Sequence, residues 1–323
     1  MSWIEGNATP GAEADAAGVV AGSAELVQMR HAAHGLDLGP ALRVETPLAG
    51  PYPSPFRGRG LDFDEVRAYQ PGDDVRQIDW RVTARTGRVH SKVFHEEHDR
   101  PLWLMLDAGP SMRFGTRRAF KSVAAARAAA LLAWSAQLGG DPVGGVVRSP
   151  ERVSELPPAA GEGPLMDLLG AISRATAASE EDGAPGTLDC LARLRERVRS
   201  GSRVFVLSDF YDFDDRWRLP LSDIGRRCDT TCILVYDALE AEAPPAGRYR
   251  VSDGNGVHAI SSGGGGWRRA YSAPFDTRRE ALKDFCRSHR IQLLSLRTDD
   301  DPAAALGAAL HPERLANRNR RPS

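Results

Sequence analysis

Three short apolar segments of the sequence each lead into an acidic residue, at Asp107, Asp209 and Asp237. In an open α/β sheet, ligands bind beyond the carboxyl ends of the strands. Carboxylates gathered at such an edge repel one another unless a cation lies between them, and carboxylate and hydroxyl oxygens are ligands that suit Mg²⁺. The alternative is that some of these acids only cap the helices that follow them, as Asp commonly does. The pattern of residues leaves both interpretations open.

A metal-dependent hydrolase is the enzymatic alternative for these acids. Hydrolysis needs a base or nucleophile within reach of the reacting group, and no His lies near Asp107 or Asp209 in the chain. The sequence contains neither a Walker A motif nor a Gly-x-Ser-x-Gly elbow. His95 and His98 are three residues apart in a strand-like segment, so they face opposite sides and are not expected to share a zinc ion. We therefore favour a non-enzymatic role, with the hydrolase and a purely structural scaffold as alternatives.

The overall composition is that of an ordinary globular protein. The chain has 323 residues, 41% of them hydrophobic, and its 42 basic and 43 acidic residues give a net charge of −1. This balance argues against a broad phosphate-binding surface, so no nucleic-acid partner is expected. The amino terminus lacks the features of a secretion signal, and no apolar stretch approaches the roughly 20 residues of a membrane span. We expect a cytoplasmic protein without a transmembrane segment, and peripheral association with a membrane stays open.

From residue 101 onward, strand-like and helix-like patterns alternate. Five apolar segments have strand length: 102–106, 143–147, 204–207, 232–236 and 291–296. Amphipathic helical patterns lie between them, which predicts a mainly parallel sheet covered by helices on both faces. The turn sequence at 253–256 predicts a β-hairpin, and the glycines at 263–266 predict a flexible loop. The four cysteines form no CxxC motif, so they are expected to be reduced and buried.

The first hundred residues have a different character. Residues 1–22 are small and patternless, which is typical of a disordered end. Ser23 is a candidate cap for a short helix that contains Leu26. The many prolines of residues 39–60 exclude regular helix. Residues 57–100 hold nine basic and nine acidic residues, a balance that indicates ion pairs or a polar docking surface.

This charged segment carries a specific signature. Its string RGRGLDFDEVRAYQPGDDVRQIDWRVTARTGR resembles the signature of the domain of unknown function 58 family, and the resemblance extends over roughly residues 20–310. It implies an α/β fold: a von Willebrand factor A-like, mostly parallel sheet sandwiched by helices, after an N-terminal charged, partly β signature segment. The implied domains are a disordered N-terminus (1–22), a helix, Pro-rich segment and signature segment (23–100), the von Willebrand factor A-like domain (101–310) and a flexible tail (311–323).

The resemblance also implies a metal-ion-dependent adhesion site. Such a site uses Asp-x-Ser-x-Ser after the first strand, a Thr from a second loop and an Asp after the fourth strand. The matching positions of this sequence are Asp107, Gly109, Ser111, Thr187 and Asp209. The glycine has no side-chain oxygen, so the site is degenerate, and we expect Mg²⁺ to bind weakly or not at all. Gly109→Ser is expected to strengthen binding by adding a hydroxyl.

The function that the resemblance implies is protein interaction. Family members are similar to partners of MoxR-type AAA+ ATPases and of other von Willebrand factor A proteins, in bacterial systems for assembly, maturation or metal insertion of a target complex. Candidate partner-binding residues lie in the signature: Asp73, Asp74, Arg76, Asp79, Trp80 and Arg85. The structural alternative is that Arg76 and Asp79 form buried ion pairs and Trp80 anchors the segment, which would leave Asp73 and Asp74 for recognition.

Overall fold

The computed structural model describes residues 18–38, 61–69, 78, 80–96, 100–178, 186–252, 257–262 and 265–310. The chain divides into two compact units. The larger unit combines Met1–Val44 with Arg100–Ser323, and the smaller unit is Glu45–Asp99. All of the predicted strand-end acids belong to the larger unit.

The first helix, α1 (Ser23–Ala33), belongs to the larger unit and buries Leu26 and Ala33 in its core. The sequence had suggested that this helix belongs with the signature segment. The structure groups it with the α/β body instead. Gly22 occupies the capping position and Ser23 is the first helical residue, so the predicted serine cap is wrong.

The smaller unit contains an antiparallel pair of strands. Strand β1 (Leu61–Ala68) pairs with β2 (His90–Glu96), and helix α2 (Trp80–Thr86) lies between them in the chain. Strand β2 contains His95, whose segment the sequence indicated as strand-like, whereas β1 lies in a stretch that the sequence marked only as charged. The partly β character of the signature segment is confirmed.

The rest of the larger unit alternates strands and helices. In chain order the elements are β3 (Leu102–Asp107), α3 (Lys121–Leu138), β4 (Val143–Arg148), β5 (Val153–Ala159), α4 (Glu162–Ala177), α5 (Thr187–Arg197), β6 (Arg203–Ser208), α6 (Asp215–Arg227), β7 (Asp229–Tyr236), α7 (Ala238–Ala241), β8 (Arg248–Ser252), β9 (Val257–Ser261), α8 (Gly265–Ser288), β10 (Gln292–Arg297) and α9 (Pro302–Leu310). The five predicted apolar strands are confirmed as β3, β4, β6, β7 and β10.

These strands build one six-stranded sheet in the order β10-β7-β6-β3-β4-β5. All neighbours are parallel except β4 and β5, which are antiparallel. The sequence analysis missed β5, whose sequence VSELPPA contains Pro157 and Pro158. Proline has no N–H for a strand ladder, and the two residues are accommodated because β5 lies at the sheet edge.

Helices cover both faces of this sheet. On one face, α3 packs against the strands and also against α1, α4 and α9, so it is buried almost all round. This explains why its sequence is apolar on nearly every side and carries little amphipathic signal. On the other face, α5, α6 and α8 contribute Leu194, Trp217 and Phe285 to a second apolar cluster. The predicted α/β architecture, a mostly parallel sheet flanked by helices, is confirmed.

The predicted hairpin is present as β8 paired with β9, and its turn at 253–256 lies outside the described residues. The glycines at 263–266 predicted a flexible loop. This prediction is wrong for Gly265 and Gly266, which form the first turn of α8. Among the described helices, none combines the length and apolarity that crossing a bilayer requires.

Candidate functional site

The centre of the sheet contains a topological switch point. From β3 the chain continues to β4 on one side, whereas from β6 it continues to β7 on the other side, and β3 and β6 are neighbours. Crevices at such points bind ligands in open α/β sheets. Asp107 ends β3 and Ser208 ends β6, so the first predicted acid lies at this point.

The residue Asp107 is 1% exposed, and its carboxylate accepts four hydrogen bonds. Its Oδ1 accepts from the Gly109 backbone N–H at 2.9 Å and from Nη1 of Arg148 at 2.8 Å. Its Oδ2 accepts from Oγ1 of Thr187 at 3.1 Å and from Oγ of Ser208 at 2.9 Å. A carboxylate offers about four lone-pair positions, so this group is fully hydrogen-bonded.

Arg148 supplies the positive charge of this cluster. It ends β4 directly opposite Asp107 in the parallel register, and the two side chains are 11% and 2% exposed. Its Nη1 also donates to Oγ1 of Thr187 at 2.8 Å, at the first residue of α5. The guanidinium therefore connects the ends of β3 and β4 with the start of α5.

Gly109 makes room for this guanidinium. A Cβ atom added to Gly109 would overlap Nη1 and the central carbon of the Arg148 guanidinium. A serine at this position would therefore have to displace a buried, hydrogen-bonded ion pair. Gly109→Ser cannot add its hydroxyl at this position unless Arg148 moves, and its effect on Mg²⁺ binding stays a prediction.

Asp209 is neutralised by a second buried cation, Lys121, from the first turn of α3. Its Oδ2 lies 2.8 Å from Lys121 Nζ, and both side chains are 1% exposed. The same Nζ lies 2.7 Å from Oε1 of Glu240, whose side chain is 18% exposed. Oδ1 of Asp209 accepts the backbone N–H of Tyr211 at 3.1 Å. One lysine thus connects the loop after β6 with α7.

Asp237 is completely buried and has a structural role after β7. It caps α7 by accepting the Leu239 backbone N–H at 2.9 Å, as the helix-capping alternative predicted. It also accepts the hydroxyls of Thr116 and Thr298, each at 2.6 Å. Burial by itself raises the pKa of this carboxyl, but the hydrogen bonds from Thr116, Thr298 and Leu239 outweigh it and leave the pKa lowered.

The predicted metal ligands therefore have separate surroundings. Thr187 lies against Asp107, whereas Asp209 is paired with Lys121. Ser111 is half-buried in a 3₁₀ turn, Pro110–Met112, and is not among the four donors to Asp107. Over the described part of the chain, no three His, Cys, Asp or Glu side chains are grouped as a metal would require. The hydroxyl oxygens of Thr187 and Ser208 could serve as Mg²⁺ ligands, but the Arg148 guanidinium against Oδ1 of Asp107 is a cation without a free lone pair and does not fit a coordination sphere for Mg²⁺.

Comparison with known proteins identifies the family. The family model described as Protein of unknown function DUF58 matches residues 65–280. The chain belongs to the DUF58 family. It is 30% identical over 268 residues to an uncharacterized protein of Mycobacterium tuberculosis and, to the same extent, to one of Mycobacterium bovis. Each match covers 82% of this chain and 84% of the relative.

The signature of this DUF58 chain is described only in part. Asp73, Asp74, Arg76 and Asp79 lie outside the described residues. Trp80 begins α2 and is 69% exposed, and Arg85 is exposed in the same helix. Trp80 is therefore not buried, and its role as an apolar anchor stays a prediction. Its role and that of Arg85 in partner binding stay predictions.

The cysteines of the DUF58 chain are all buried and unpaired, as predicted: Cys190, Cys228, Cys232 and Cys286. Burial raises the pKa of Cys228 to about 11. Burial, and secondarily the charge of Asp107, also raise the pKa of Cys190 far above its usual range. Such thiols remain protonated at neutral pH and are poor nucleophiles.

Proposed function

We propose that this DUF58 protein is a non-enzymatic protein-interaction module with a von Willebrand factor A-like fold. It works in the cytoplasm with a MoxR-type AAA+ ATPase, and with other von Willebrand factor A proteins, in assembly, maturation or metal insertion of a target complex. The strand order supports the fold assignment. If the six strands of this sheet are numbered 1 to 6 in chain order, β3 is strand 1 and β10 is strand 6. Read from the β5 edge, the order is then 3-2-1-4-5-6, which is a doubly wound arrangement with one switch point.

The observation that carries the proposal is that each strand-end acid is already engaged. Asp107 accepts four hydrogen bonds, Asp209 is paired with Lys121, and Asp237 caps a helix. A general base or nucleophile must instead reach a substrate atom at hydrogen-bonding distance. Carboxylates that are buried and saturated in this way stabilise the loops that carry them. This arrangement favours a binding scaffold over the hydrolase alternative.

Direct capture of the ATPase tests the proposal. The full chain would be immobilised and titrated with the purified MoxR-type ATPase of the same organism, with and without ATP. We expect saturable binding, and we expect Asp73→Ala/Asp74→Ala to weaken it at least about tenfold with an unchanged Tm. Two exposed acids of α8 provide the matched control, Asp276→Ala/Asp284→Ala, which should bind like the native chain.

Two results would count against this function. Absence of ATPase binding by the native chain at micromolar concentrations contradicts the proposed partner. Metal-dependent hydrolysis of phosphate or carboxylate esters that disappears in Asp107→Asn would support the hydrolase alternative instead, because the binding role predicts no turnover.

A further inference from the structure

We infer that the Arg148 guanidinium is the resident cation of the switch-point site, in the position where a von Willebrand factor A site would bind Mg²⁺, and that Gly109 is the residue that admits it. The comparison with a metal site rests on the proposed fold. The contacts of Arg148 are independent of it.

The first argument comes from coordination. Mg²⁺ binds to oxygen lone pairs in a near-octahedral arrangement. All four lone-pair positions of Asp107 are directed at hydrogens of Gly109, Arg148, Thr187 and Ser208. A metal ion at this carboxylate would have to displace at least one of these donors, and the only charged donor among them is Arg148.

The second argument comes from charge. Asp107 is 1% exposed, and a buried carboxylate requires a compensating positive charge. The guanidinium provides that charge at 2.8 Å. Because Arg148 is covalently part of β4, this cation cannot dissociate. The charge compensation of the site is thus independent of the divalent-ion concentration.

The third argument comes from space. The position of a Cβ atom on Gly109 coincides with the guanidinium of Arg148, so only glycine is compatible with the observed position of Arg148. The backbone at Gly109 has a φ of −68°, which any residue adopts, so a turn conformation does not explain the glycine. Gly109 and Arg148 therefore form a matched pair. The serine hydroxyl that a metal site would have at position 109 is absent because the Arg148 guanidinium occupies that space.

A double-mutant cycle tests this pairing. We expect Gly109→Ser to lower the Tm of the native chain by several degrees, because the serine displaces the guanidinium. In the Arg148→Ser background the space is vacant, and the same Gly109→Ser change should cost much less or raise the Tm. Arg152→Ser, an exposed arginine after the same strand, is the control background and should leave the full cost of Gly109→Ser unchanged. Equal effects of Gly109→Ser in all three backgrounds would overturn the inference.

If Arg148→Ser does not fold, Arg148→Lys takes its place in the cycle. Lysine keeps the charge but has a slimmer head group, so it should also reduce the cost of Gly109→Ser. An undiminished cost in the lysine background would overturn the pairing.

A Mg²⁺ titration tests the cation position. At 10 mM MgCl₂, a site with a Kd of about 0.1 mM would raise the Tm by about 5 °C or more. We expect less than 1 °C for the native chain with either MgCl₂ or EDTA. Gly109→Ser/Arg148→Ser should acquire a saturable Mg²⁺-dependent rise that Asp107→Asn removes.

A saturable rise in the native chain that Asp107→Asn abolishes would overturn the inference. A double variant that is insensitive to Mg²⁺ would overturn the placement of Arg148 at the metal position. These measurements use thermal unfolding alone and no ATPase. The failure of ATPase capture would therefore leave them unaffected, and the reverse also holds.

Discussion

Removing the buried charge of Lys121 should be among the most destabilising single changes in this protein. In Lys121→Met the side chain keeps nearly its length and volume, so the change mainly removes the ammonium group. Asp209, 1% exposed, would then have no counter-charge, and Glu240 would lose its partner as well. Glu240 is 18% exposed and can be hydrated, so the larger penalty falls on Asp209.

The magnitude follows from the distances. Two unit charges 2.8 Å apart attract by about 6 kcal/mol at an effective dielectric constant of about 20. Much of this attraction offsets the cost of taking both charges out of water. Deleting one partner nevertheless costs about 3–5 kcal/mol, because the other charge stays buried without compensation. Neutralising both partners together should cost far less, since no unpaired charge is left.

Urea unfolding followed by far-UV circular dichroism measures these differences. With an m value near 3 kcal/mol per molar, Lys121→Met should lower the urea midpoint by about 1 M or more. Asp209→Asn leaves Lys121 paired with Glu240, so its effect should be smaller. Lys121→Met/Asp209→Asn should recover part of the stability lost in Lys121→Met. A loss below about 1 kcal/mol in Lys121→Met, or no recovery in the double variant, would refute the account of Lys121 as a required counter-cation.

Three further changes test other parts of the fold. Leu106→Asp places a charge at a fully buried position of β3 and should lower the free energy of unfolding by several kcal/mol. A normal thermal transition in this variant would contradict the prediction. Thr298→Val removes a donor that lowers the pKa of Asp237. Stability from a lowered acid pKa is present above about 3.9 and is lost as the pH falls through the folded pKa, so this variant should lose about 1–2 kcal/mol at pH 7 and unfold at a higher pH on acid titration. The four cysteines should resist a thiol reagent at pH 7.5 until urea is added, and rapid labelling of the native chain would contradict their burial.

The central sheet could be predicted from the sequence because its strands are short, apolar and regularly spaced. Their parallel arrangement followed from the helical patterns between them. Strand β5 and the first turn of α8 are among the parts that the sequence analysis did not predict, and each has a physical reason. Strand β5 carries two adjacent prolines, which normally argue against a strand and are tolerated here at the sheet edge. Gly265 and Gly266 form the first turn of α8, although the low helix propensity of glycine argued for a loop there.

The acids of the site could be predicted from the sequence, but the partners that engage them could not. A strand-end position is a local property, so Asp107, Asp209 and Asp237 were recognised. Pairing depends on which strands become neighbours, and Arg148 meets Asp107 only because β4 lies beside β3 in matching register. Lys121 begins a nearly all-apolar helix and bears no local mark of its partner 88 residues away. One signal for a buried partner was available in the sequence. Arg148 ends an apolar, buried strand, where a charged residue is rarely found unless it is paired.

The two buried cations have one consequence in common for how this site works. Arg148 opposes Asp107 and Lys121 opposes Asp209, so the charges on both sides of the switch point are balanced within the chain. A site that depends on a dissociable metal changes its loops when the ion leaves, since the carboxylates then repel one another. Here the counter-charges of the loops after β3 and β6 are side chains of the same chain and cannot leave as a metal ion does. We therefore expect binding at this end of the sheet to depend on the shape of a preformed surface and to be insensitive to chelators, which suits a constitutive adaptor better than a metal-switched receptor.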